Sequence, residues 1–159
     1  MEDIWSKIAE AETFITRAEK VAPGTSGTAV VSKVITLLTR KQQNAVIFEM
    51  VVKASSGDGA NTVGSKISNY LERDTPEGRA YIKTFVLNAL GAADTVVDPK
   101  EFASDIKQIL GPEQALTGFE LRYSSVPHKT RDGRDTFVVK YFPVAGQTAE
   151  SVAANKKLL

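Results

Sequence analysis

In this chain of 159 residues, Ala45-Val-Ile-Phe-Glu-Met-Val-Val52 determines which fold class is expected. An almost continuous apolar run of this length suits a buried helix or a buried strand, and periodicity does not separate them. The β-branched residues Val46, Ile47, Val51 and Val52 favour a strand, because branching at Cβ restricts the side chain less there. Just upstream, Thr39 and Gln42 have the Thr-x-x-Gln spacing of a capping box, which opens a helix. That cap tips the reading towards a buried helix over residues 43–53.

The same logic assigns helices on both sides of it. Val30, Val31, Val34, Ile35, Leu37 and Leu38 suit a helix over residues 28–38. Residues 3–22 place Ile4, Ile8, Ala11 and Ile15 on one face of an amphipathic helix flanked by Trp5 and Phe14, which Pro23-Gly24 stops. Downstream, Ser55 to Asn61 reads as a loop, and Val63, Ile67, Tyr70 and Leu71 read as a further helix. Two starts are more explicit. Thr75-Pro76-Glu77 is an N-cap followed by proline at the first helical position, and Gly91 suits the helix end. Asp98-Pro99-Lys100-Glu101 repeats the device, and Gly111-Pro112 closes that helix.

The exception to the helical pattern lies between Gly118 and Phe142. Phe119, Leu121 and Tyr123 alternate with polar residues, as do Phe137, Val139 and Tyr141 with Val138, Lys140 and Phe142. Period-two alternation on both sides of Pro127-His-Lys-Thr-Arg-Asp-Gly133 predicts a β-hairpin with its turn there. The expected fold class is therefore α+β: a mainly helical single domain over residues 1–142, with about five or six helices and a C-terminal β-hairpin. Residues 143–159 are small and alanine-rich, and predict a weakly ordered tail, flexible or ordered by a partner. Within it, Thr148 would cap a weak helix from Ala149.

Composition narrows the function by exclusion. There is no cysteine and one histidine, so thiolate chemistry and a multi-histidine metal site within one chain are ruled out. No metal site and no cofactor are expected. No apolar run approaches the ~20 residues of a spanning helix, so no membrane partner is expected. The acidic, amphipathic Met1-Glu-Asp-Ile-Trp5 does not read as a secretory signal, and the expected setting is cytoplasmic, with a virion as the alternative. Gly59 to Lys66 superficially resembles a phosphate-binding loop. It has Gly64-Ser65-Lys66 where that loop needs lysine directly after the glycine.

Three functions remain. The first is a non-enzymatic structural or assembly protein, of the kind phages and viruses use as accessory components. It would self-associate or meet a protein partner through Ile4, Trp5, Ile8, Ile15 and Phe142. The second is binding of RNA or another single-stranded nucleic acid through the basic hairpin residues Arg122, Lys129, Arg131, Arg134 and Lys140. Cations interleaved with aromatics suit a phosphate backbone carrying unpaired bases. Against this stands a net charge of only +1. The third is an enzyme using His128, which the hairpin reading places in an exposed turn, a poor site for excluding water. No catalytic residue is assigned, and the protein is expected not to be an enzyme.

Overall fold

The computed structural model describes residues 18–38, 43–56, 59–92 and 97–159. Residues 44–56 are not a helix but a 13-residue strand, β3 (Asn44–Ser56), at the centre of a six-stranded sheet. Val46, Phe48, Met50 and Val52 alternate onto one face and are almost fully buried. On the other face Ala45 and Glu49 are buried too. A strand covered on both sides loses its polar alternation and reads as a continuous apolar run. The β-branched density was the true signal; the Thr39–Gln42 pattern lies outside the described residues.

The stretch expected to be a helix over 28–38 is also a strand, β2 (Ser26–Leu38), paired antiparallel with β3 along its whole length. Its register shifts between Val31 and Lys33, so Val31 faces Met50 and Val34 faces Phe48. A bulge of this kind places residues three apart on one face and imitates helical spacing. The segment around Ile67 is a third correction: β4 (Lys66–Glu72) pairs antiparallel with β3. Ile67 and Leu71 are four apart, a spacing that shares a face in a strand as well as in a helix. Together these three strands overturn the mainly helical fold class. Among the described residues there are three helices and one mixed sheet.

Two helices stand where the caps predicted them, α1 (Pro76–Leu90) and α2 (Pro99–Leu110). The Thr75 hydroxyl accepts from the Gly78 amide, and Gly91 takes the left-handed conformation at φ 72°. The Asp98 carboxylate accepts from the Lys100 amide. The chain then returns as β5 (Glu120–Lys129), antiparallel to β2 on the side away from β3, and β6 (Asp135–Pro143) pairs with β5. A short β1 (Ala18–Glu19) lies parallel to the start of β4, giving the order β1-β4-β3-β2-β5-β6.

Three meander strands and a fourth returning beside the first make a Greek key. With the helical excursion after the third strand and a fifth strand paired to the fourth, β2 to β6 have the connectivity of the oligonucleotide/oligosaccharide-binding (OB) fold. Among the described residues no ladder joins β6 to β4, so the barrel is open there.

The core fills the concave side. Ile82, Phe85, Val86 and Ala89 of α1 pack on the sheet, with the Phe85 ring 4.2 Å from Phe48 and edge-on to Tyr141 at 5.0 Å. Polar side chains finish the strand ends. The Gln114 amide accepts from Val34 N and donates to Val34 O, covering β2 where β5 no longer runs beside it. Gln147 does the same for both backbone groups of Glu120.

The C-terminal segment holds the helix that Thr148 was expected to cap, α3 (Ala149–Lys156), with a reciprocal capping box between Thr148 and Ser151. Buried Asn155 ties it to the sheet by donating to Gly118 O at 3.0 Å. No described helix is long and apolar enough to cross a membrane.

Candidate nucleic-acid interface

The β5–β6 ribbon carries the candidate residues, and its register sorts them. The rungs pair Arg122 with Phe142, Ser124 with Lys140, Val126 with Val138 and His128 with Thr136. Alternation places these even-numbered residues on one face, opposite the core-facing Leu121, Tyr123 and Ser125. Arg122, Lys140 and His128 are all exposed there. Phe142 is 39% exposed, and the Arg122 guanidinium lies 5.7 Å from its ring centroid. From Arg122 to His128 the face runs ~20 Å at strand rise.

The sequence places His128 in the hairpin turn, and the structure corrects this. β5 continues through Pro127 and His128 to Lys129, and the turn is Thr130–Arg134. Proline is tolerated because β5 has passed the end of β2 and its amide faces no ladder on that side. The turn is internally braced. The Thr130 amide donates to Arg134 O at 2.9 Å, and the Thr130 hydroxyl donates to the Asp132 carboxylate. Arg134 Nε meets Asp132 Oδ2 at 2.9 Å. The Thr130 hydroxyl first, and Arg134 with it, hold the Asp132 carboxyl below its usual value against the opposing effect of burial.

The five predicted cations therefore do not form one cluster. Arg122 and Lys140 share the exposed face. Arg131 and Arg134 sit in the turn, where Asp132 offsets Arg134. Lys129 pairs across the ladder with Asp135, on the opposite parity. Of the predicted interface residues, Phe142 is where an interface could use it; Ile4, Trp5, Ile8 and Ile15 lie outside the described residues. Lys53 is committed to Glu120 at 2.7 Å and to Asn155 at 3.1 Å, pinning α3 to the sheet.

A cleft of about 630 Å³ opens beside the ribbon, between the edge of β6 and β4, with α1 as its floor. Its walls include Asn69 and Leu71 of β4, Tyr81 and Phe85 of α1, and Tyr141 of β6, while His128, Lys140 and Phe142 form its rim towards the ribbon face. Burial pushes the Tyr141 hydroxyl far above its ordinary titration range, and nearby Tyr123 adds to this. Tyr81 lies on α1 one turn before Phe85. It is in fact 64% exposed at the margin of the apolar stripe. Its i, i+4 spacing to Phe85 matches that of a packing residue, so the sequence carries no signal of its exposure.

The phosphate-loop lookalike runs through turns at Gly59 and Gly64 into a strand, where a phosphate loop needs a helix. Among the described residues no three histidine or acidic side chains are grouped to hold a metal ion. No protein-family model matches this chain, and no curated protein matches it in sequence.

Proposed function

We propose that this protein binds single-stranded nucleic acid, RNA included, along the outer face of the β5–β6 ribbon. The observation that carries this is the register. It sets Arg122 beside Phe142 on one rung, Lys140 on the next and His128 two rungs further, all on one open face. Cations spaced along a ribbon follow a phosphate backbone, and an aromatic among them offers a face to an unpaired base.

The connectivity supports the same reading by analogy of fold. OB domains bind oligonucleotides through the sheet and through the loops after their first and fourth strands. Here the connection after the fourth of those strands is the Thr130–Arg134 turn, which includes Arg131 and Arg134. An intracellular, cytoplasmic setting suits such a ligand and a cysteine-free chain.

Titration of a fluorescent single strand with wild type and with the Arg122→Glu/Lys140→Glu variant tests the proposal. Binding at low salt that the double reversal abolishes supports it. Binding insensitive to that change sinks it.

Self-association is the second reading. β6 is the end strand of the sheet, and Phe137 and Phe142 are exposed on it at 46% and 39%. An open edge with exposed aromatics invites a second copy. Light scattering across a concentration series decides it, and a monomer at every concentration removes it.

A further inference from the structure

We infer that the cleft between β4 and β6 is a base-binding subsite, which takes one nucleobase from a strand lying on the ribbon. This rests on the proposed nucleic-acid function and adds where a base is read.

Four features converge on a planar, polar-edged occupant. The volume, about 630 Å³, lies in the range of small-ligand sites. The lining includes the apolar and aromatic Leu71, Phe85 and Tyr141, and suits the faces of a base. Asn69 lines the β4 wall with an amide, which offers a donor and an acceptor to a base edge. Tyr81, largely exposed at the mouth, is placed to stack over an entering ring.

Continuity with the ribbon supplies the charge argument. Lys140, His128 and Phe142 belong both to the ribbon face and to the rim of the cleft. A phosphate beside Lys140 therefore leaves its own base within reach of the opening. An extended peptide adding to the β6 edge is the competing occupant. It is disfavoured because Asn88 Nδ2 already donates to Tyr141 O at 3.0 Å. A docking strand would lose that rung or displace the side chain.

The test compares two single strands of the same length, about 15 nucleotides to match the site size of an OB domain, one with bases and one abasic. Wild type should bind the base-bearing strand more tightly. Tyr81→Ala should lose about tenfold on that strand, the scale of one stacked base, with its salt dependence unchanged and its affinity for the abasic strand intact. Tyr81→Trp should keep or raise the affinity, which separates stacking from damage to α1.

Tyr81→Ala binding the base-bearing strand as wild type does would overturn the cleft assignment while leaving the ribbon in place. Failure of wild type to bind either strand at low salt would remove both. Equal loss on both strands would assign Tyr81 to structure and overturn the subsite.

Discussion

Arg122 and Phe142 are cross-strand partners, and the guanidinium of one lies 5.7 Å from the ring centroid of the other. Arg122 Nε also donates to Pro143 O at 3.3 Å. The arginine is thus held over the ring by its own rung and by the next carbonyl. This fixes a cation and an aromatic side by side on the open face of the ribbon. An exposed pair of this kind contributes ~0.5–1 kcal/mol to stability, so its arrangement matters more for what it presents than for the fold.

Phe142→Ala should therefore separate binding from folding. The expected cost in stability is about 1 kcal/mol, from partial loss of buried area and of the cation–ring contact. The expected loss of affinity for a single strand is ~5-fold or more, the lower end of one stacked base. Thermal melting and fluorescence anisotropy on the same preparation measure the two effects.

The phosphate contribution is read from salt. Arg122→Ala and Lys140→Ala should each flatten the dependence of log affinity on log salt by about 0.7, the single-strand value for one phosphate contact. Arg134→Ala should change it less, because Asp132 already offsets that charge at 2.9 Å. Equal effects from all three would show that the turn matters as much as the face.

Gly27 tests the packing of the barrel. A Cβ there would lie 2.2 Å from Ala54 O and 2.6 Å from the Tyr123 hydroxyl. Gly27→Ala must push apart β2, β3 and β5 where they meet, and should cost about 3 kcal/mol. Tyr123→Phe should do the opposite. The Tyr123 hydroxyl is buried with no hydrogen-bond partner among the described residues, so its removal should leave the melting temperature unchanged or raise it.

Alkaline stability follows from Tyr123 and Tyr141. Burial raises the folded-state pKa of Tyr141 and of Tyr123 above the ordinary 10.0. Above that value the unfolded chain loses protons that the folded chain retains, so stability falls with rising pH. Below it their contribution is complete. Melting temperature should be flat up to about pH 9 and fall above about pH 10. Tyr141→Phe should blunt the fall.

What could be read in the sequence was what local chemistry determines. Thr75-Pro76 and Asp98-Pro99 announce their helices because a cap acts within one turn. The ribbon was legible because one face of β5 alternates cleanly, from Leu121 and Tyr123 inward to Arg122 outward. Strands β2 to β4 were not. β3 is covered on both faces, and the bulge beside Lys33 gives Val31 and Val34 a helical spacing. The site was half legible. The cations and Phe142 were visible in the sequence, but their sorting into face and turn depends on a register that only the long return from β4 to β5 sets. The cleft draws Asn69, Tyr81 and Tyr141 from three elements, a grouping with no local signature.

Binding of a nucleic-acid strand by the ribbon face stands or falls with one titration. Wild type and Arg122→Glu/Lys140→Glu, both confirmed folded by circular dichroism, are titrated against a labelled unstructured single strand at low and at physiological salt. Binding by wild type that weakens steeply with salt and is lost in the double variant is the predicted result. No wild-type binding at low salt, or the same affinity in both proteins, would contradict it.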